Sequence, residues 1–200
     1  MIATRTFTEL TTRDYLQTAF LYPASIEFDG HERTIVEVGP GRGDFLFNLA
    51  KLNPEALIVG IEIKRKRVDK LISRVEARRL NNVMIIQDDA KCALPRFLRD
   101  NSVDEIHINF PDPWPKQRHS KNRTVSTDFL NECKRALKIG GTIHFITDFY
   151  DYAKAVFKNA SSIPELETHK VEADVFPTYF ALKWKRMGRA FTYYKFRRLA

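Results

Sequence analysis

The run Asn109-Phe-Pro-Asp-Pro-Trp-Pro-Lys-Gln-Arg-His-Ser-Lys-Asn-Arg123 places one carboxylate, one large aromatic ring and a train of cations close together in the chain. Pro111, Pro113 and Pro115 each fix their own φ and bias the residue before them toward an extended conformation. The apolar-rich stretch Val103–Phe110 reads as a strand, so Asp112 is expected in an extended or turn conformation just past a strand end. In open α/β sheets, ligands bind outside the carboxyl ends of the strands. Lys116, Arg118, His119, Lys121 and Arg123 follow with no acid among them. A carboxylate with Trp114 beside it and cations beyond suits a nucleobase in the site and phosphates outside it. A proline-stiffened surface loop with solvated charges would have the same local composition. The elements around the run must therefore decide.

Those elements alternate. Thr34–Val38 is a short β-branched strand, Gly39-Pro-Gly-Arg-Gly43 a glycine loop, and Asp44–Leu52 has helical apolar spacing. A dinucleotide fingerprint needs G-x-G-x-x-G; its third glycine would fall at position 44, which is Asp44. Leu57–Glu62 is a second strand ending in an acid, and such a carboxylate can accept both hydroxyls of a ribose. Lys64–Arg79 reads as a helix whose many cations mostly form a solvated face. Asn82–Ala90 is a third strand that ends in Asp88 and Asp89. Val103–Phe110 is the fourth. Thr127–Leu137 reads as a helix, Lys138–Gly141 as its stop and turn, and Thr142–Thr147 as a fifth strand with Asp148 at its end. Gly41, Glu62, Asp89, Asp112 and Asp148 are thus expected around one crevice. A helix over Tyr150–Asn159 and a strand over Glu167–Val175 follow, then a turn at Gly188 and Arg189 and a final basic strand. The alternation predicts an α/β fold, a mostly parallel sheet with helices on both faces. Residues 34–200 are expected to form one domain, with 1–33 an irregular N-terminal arm.

The chain has 200 residues, 44% hydrophobic and 29% charged, as ordinary soluble globular domains do. No apolar run is long enough to cross a membrane as a helix. Two cysteines, Cys92 and Cys133, make no disulfide framework, and the reading is cytoplasmic. Thirty-three basic residues against 25 acidic ones give a net charge of +8, which favours a polyanionic partner. His107, His119 and His144 lie at neither catalytic nor metal-ligand spacing, so no metal is expected.

Taken in order, the glycine loop preceded by Glu37, the strand-end Glu62, the pair Asp89-Ala90 and the segment Phe110-Pro-Asp-Pro-Trp-Pro-Lys116 resemble the tRNA (guanine-N7)-methyltransferases. The resemblance runs from about Ile35 to Gly188, and Ile143-His-Phe-Ile-Thr-Asp148 supports it. It implies a Rossmann-like class I methyltransferase with a seven-stranded sheet whose last pair is an antiparallel hairpin. S-adenosylmethionine would be the cofactor and tRNA the partner, with 7-methylguanosine in the variable loop as the product. By the same resemblance Glu37, Gly39, Gly41, Gly43, Glu62, Asp89 and Asp112 line the cofactor site, and Asp112 is the catalytic carboxylate. Lys116, Asp148 and Thr178 contact the substrate, and Arg118, His119, Lys121 and Arg123 contact RNA. The chain departs from the family once. The family's Thr-x-x-Glu keeps its threonine at Thr178, but its glutamate position is Ala181, leaving Glu172 or Asp174 as candidates for that role.

Guanine N7 carries a lone pair and no proton, so its methylation needs placement rather than a general base. This agrees with the absence of a Ser-His-Asp or Cys-His pattern. The competing readings are a non-catalytic or altered-substrate RNA-binding member of the same fold, and, further off, a nicotinamide dehydrogenase. Monomer, homodimer and a partner subunit all stay open at this level.

Overall fold

A computed structural model describes residues 20–22, 31–171, 186–188 and 190–200. One mixed sheet runs through the molecule in the order β1-β4-β3-β2-β5-β6-β8-β7. Its strands are β1 (Phe20–Tyr22), β2 (Arg33–Val38), β3 (Ala56–Ile61), β4 (Val83–Gln87), β5 (Val103–Asn109), β6 (Leu137–Thr147), β7 (Leu166–Lys170) and β8 (Thr192–Arg198). The five central strands β4-β3-β2-β5-β6 are parallel, while β1, β8 and β7 pair antiparallel. Seven strands and the closing hairpin match the sequence reading. The eighth is β1, three residues of the N-terminal arm read as irregular, which pair with the edge of β4.

The helices are α1 (Asp44–Leu52), α2 (Arg65–Ala77), α3 (Ala90–Phe97), α4 (Thr127–Ala136) and α5 (Tyr150–Ser161). Alternation along the strands sends their side chains into two cores. Ile35, Ile58 and Ile85 pack under α1 and α2 with Phe45, Leu46, Val68, Leu71 and Val75. Val36, Val59 and Ile86 meet α3, α4 and α5 through Leu94, Phe129, Leu130, Tyr152 and Val156. A strand covered on both faces is apolar throughout, and every residue of β3 is buried.

Two further elements differ from the sequence reading. Helix α3 is short and carries Pro95 inside it, which hid it; its start is marked by Asp89, whose side chain accepts from the Lys91 N–H. Lys138–Gly141 is not a separate turn but the beginning of β6. Gly140, with φ +81°, and Gly141, packed closely on Lys138 and Asp104 carbonyls, form an irregularity in the pairing with β5.

Strand order reverses between β2 and β5, because β3 lies on one side of β2 and β5 on the other. That reversal opens a crevice at the carboxyl ends, the usual ligand position of such sheets. The glycine loop, Glu62, Asp89, Asp112 and Asp148 all follow carboxyl ends of parallel strands.

Candidate active site

The glycine loop turns back on itself through left-handed residues, Gly39 at φ +71°, Gly41 at +56° and Gly43 at +79°. The Gly39 N–H donates to the Ile61 carbonyl at 2.8 Å, and the Gly43 N–H to Pro40 at 2.7 Å. Gly43 is also a packing requirement: a Cβ there would lie 2.5 Å from Leu71 and 2.7 Å from Phe47. Around Gly39 a Cβ would meet nothing within 4 Å, so that end of the loop borders open space.

Two buried acids stand at the loop. Glu62, 2% exposed, accepts from the Gly41 N–H at 3.2 Å and from the Lys64 N–H at 2.9 Å, with the Arg67 guanidinium 3.6 Å away. Its carboxylate ties the loop to the start of α2. Glu37, also 2% exposed, accepts a hydrogen bond from Asn109 Nδ2 at 3.2 Å. Among the described residues its Oε2 has no partner, and neither has Asn109 Oδ1. Burial pushes the Glu37 carboxyl up to about 8, more than the Asn109 hydrogen bond can offset. Buried polar atoms without protein partners are rare. Acceptors of this kind suit a donor-rich or cationic group. Sequence reasoning missed Asn109; the signal was register, since β2 and β5 run side by side and Glu37 pairs with His107 two residues earlier.

At the end of β4 the two acids separate. Asp88 is 5% exposed, bound to Arg96 at 2.8 Å and to the Asp89 N–H at 2.8 Å. Asp89 is partly exposed and uses one oxygen to cap α3. Of the pair, Asp88 is thus the buried, ion-paired acid and Asp89 the more accessible one.

The proline segment is not extended throughout. Phe110 and Trp114, each preceding a proline, have φ +49° and +43°. Positive φ is unusual for a bulky residue and costs on the order of 1–3 kcal/mol. The surroundings over-determine it. The Phe110 N–H donates to the Ile146 carbonyl at 2.9 Å, and its ring meets Phe191 edge-on at 5.2 Å. Trp114 meets the His119 ring edge-on at 5.9 Å and is 37% exposed. Arg123 Nε donates to the Pro113 carbonyl at 2.8 Å, and its guanidinium lies 5.0 Å from the Tyr152 ring centroid and 5.8 Å from that of Phe149. Tyr152 is fully buried and its hydroxyl accepts from the Val125 N–H at 3.0 Å. The exposed Asp112 is therefore presented by a loop braced on both sides.

The basic run divides as well. Lys116, Arg118 and Lys121 are exposed around the short 3-10 helix Gln117–Asn122, His119 is half-buried against Trp114, and Arg123 turns inward. Asp148 is half-buried past β6 and lines a cavity of about 390 Å³ with Tyr150, Ala190 and Thr192. Thr178, Ala181, Glu172, Asp174, Lys183 and Arg189 lie outside the described residues.

The histidines, unrelated by spacing, do meet across β5 and β6. His107 and His144 stack at 4.5 Å with their planes 11° apart, and their ligand atoms and Glu105's lie within 4.8 Å of one another. His107 Nε2 is 3.0 Å from Glu105 Oε2, while His144 Nε2 is 2.9 Å from Thr142 Oγ1 and its Nδ1 2.5 Å from the Tyr193 hydroxyl. The His107 hydrogen bond holds the Glu105 carboxyl down to about 2, and burial, with His107 nearby, holds His144 down to about 3. The arrangement is a stacked, hydrogen-bonded network. Register, not sequence spacing, brings it together.

Comparison with known proteins follows the same outline. The family model Methyltransf_4, "Putative methyltransferase", matches residues 31–191. A tRNA (guanine-N(7)-)-methyltransferase of Nitrosococcus oceani is 34% identical over 174 residues, covering 86% of this chain and 74% of that protein. The chain belongs to the tRNA (guanine-N7)-methyltransferase family. The family member from Thermotoga maritima is 35% identical over 166 residues, 81% of this chain. The chain spans about half of that relative's length, 53% of it. Among solved structures, an S-adenosylmethionine-dependent methyltransferase from Aquifex aeolicus superposes with a TM-score of 0.59 at 18% identity, covering 86% of each chain. That likeness establishes the Rossmann-like methyltransferase fold. No helix among the described residues is long and apolar enough to cross a membrane.

Proposed function

We propose that this chain transfers a methyl group from S-adenosylmethionine to N7 of a guanine in tRNA. The observation that carries the reading is the braced loop that presents Asp112 at the strand reversal, beside the glycine loop and its two buried acids. Residues 34–200 act as the catalytic unit, and Lys116, Arg118, His119 and Lys121 meet RNA.

The residues fit the cofactor. The unpartnered Glu37 Oε2 and Asn109 Oδ1 suit its α-ammonium group. Glu62 at the second strand end and Asp89 at the third supply acceptors for ribose hydroxyls and the adenine amino group. When bound, the cofactor supplies a methyl group already activated by its sulfonium. The chain's task is then placement. Bringing N7 into line with the methyl carbon is worth several orders of magnitude in rate. Asp112 accepts hydrogen bonds from the N1–H and N2–H edge of the guanine and stabilises the positive charge that develops on the ring. No group needs to remove a proton from the nucleophile.

The test is transfer of labelled methyl to unmodified bulk tRNA, with nucleoside analysis of the product. The expected product is 7-methylguanosine, and Asp112→Ala abolishes its formation while tRNA binding persists. Near-normal turnover by Asp112→Ala would refute the role given to that carboxylate. A different methylated nucleoside would refute the substrate reading.

A further inference from the structure

The cavity beside Asp148 has a feature that the family resemblance does not assign. Tyr150, the first residue of α5, is 68% exposed yet forms part of the cavity wall with Ala190 and Thr192. Tyr152, two residues on, is fully buried and bonded to the Val125 N–H, which fixes the first turn of α5 on the N-terminal side of α4. Tyr150 is thereby held outward at the cavity mouth. One turn along, Lys154 Nζ lies 5.3 Å from the Tyr150 ring centroid, and such a cation stabilises an exposed aromatic ring in place. The part of the wall formed by Ala190 and Thr192 is tied to the Asp112 loop. Phe191, between Ala190 and Thr192, packs edge-on against Phe110, two residues before Asp112.

We infer that Tyr150 is the stacking platform for the target guanine, which lies against this cavity beside Asp148 with its N1–H and N2–H edge toward Asp112. The inference rests on the proposed function and names a residue of the same site. Its chemistry is general: proteins that read unpaired bases stack them on aromatic rings and hydrogen-bond their edges. A cavity of about 390 Å³ lies within the range of small-molecule sites. A carboxylate accepts from two adjacent N–H groups, which guanine presents and adenine, cytosine and uracil do not present in that arrangement.

The test compares Tyr150→Ala, Tyr150→Trp and the unaltered chain in three readouts: kcat/KM for bulk tRNA, the Kd of S-adenosylhomocysteine by calorimetry, and the Kd of tRNA by filter binding. Loss of a stacked base costs about tenfold to a hundredfold. Tyr150→Ala is expected to lose that much in kcat/KM, with cofactor Kd and melting temperature unchanged, and Tyr150→Trp is expected to stay within about threefold of the unaltered chain. An equal loss in both variants, or none in Tyr150→Ala, would overturn the inference. If the unaltered chain forms no 7-methylguanosine, the proposed function fails; the platform is then read from tRNA Kd, and an unchanged value for Tyr150→Ala overturns it too.

Discussion

Arg123 sits at the end of a basic run, yet its guanidinium faces the loop it follows. Replacing it with alanine removes a charge-assisted hydrogen bond to the Pro113 carbonyl, worth about 1.5–3 kcal/mol. It also removes the contacts with the Tyr152 and Phe149 rings, worth about 0.5–1 kcal/mol where partly exposed. Allowing for water replacing part of the lost hydrogen bond, the expected destabilisation is about 2–3 kcal/mol. In a chain of this size that lowers the melting temperature by roughly 4–12 °C. The loop is then held from one side only. A displacement of about 1 Å at Asp112 costs on the order of a hundredfold in turnover. Salt dependence separates this role from a phosphate contact. Each phosphate contact contributes about 0.7–0.9 to the slope of log K against log salt concentration. Lys121→Ala, at an exposed position, is expected to lower the slope by about that amount with no change in melting. Arg123→Ala is expected to leave the slope unchanged and to lower both kcat and melting temperature. The inward role is refuted if Arg123→Ala melts normally and loses slope as Lys121→Ala does.

Three further outcomes follow from the same geometry. Glu37 has its folded pKa raised to about 8 from an ordinary 4.5, so its ionisation opposes folding increasingly as pH rises from the lower value toward the upper. Glu37→Gln is expected to stabilise the protein by about 1–3 kcal/mol at pH 8 and negligibly near pH 4, in thermal melts across that range, while weakening cofactor binding; equal melting of both forms at pH 8 would count against it. Gly43→Ala combines a φ of +79° with contacts of 2.5 Å and 2.7 Å to Leu71 and Phe47, and should cost about 3 kcal/mol or more in denaturant titrations. Of the two cysteines, Cys92 is exposed while Cys133 is fully buried with its thiol pushed up by desolvation, so a thiol reagent should modify Cys92 alone until the chain unfolds.

Much of the fold was legible because each central strand announces itself as a short apolar run and each carboxyl end as a glycine or an acid. Glu62, Asp89 and Asp112 could be placed at one edge from that alternation alone. What was hidden depends on contacts between segments far apart in sequence. The inward turn of Arg123 is decided by Tyr152, and the ion pairing of Asp88 by Arg96. The pairing of His107 with His144, and of Glu37 with Asn109, follows from strand register, which spacing within a strand does not reveal. Local rules also misled where tertiary packing opposed them. The bias before proline argues for extended chain at Phe110 and Trp114, and the surrounding contacts hold both at positive φ.

The left-handed backbone at Trp114 sets stability and activity against each other. A library selected for heat resistance alone would favour Trp114→Gly, because glycine relieves the backbone cost at no steric expense. The same exchange deletes the ring against which His119 packs and frees the chain on either side to swing. Variants that survive hotter washes should therefore include slower enzymes, and a screen that scores only soluble, heat-stable protein would enrich them. Selection on this chain would need to read turnover alongside melting, since the position that most invites relief is part of what holds Asp112 in place.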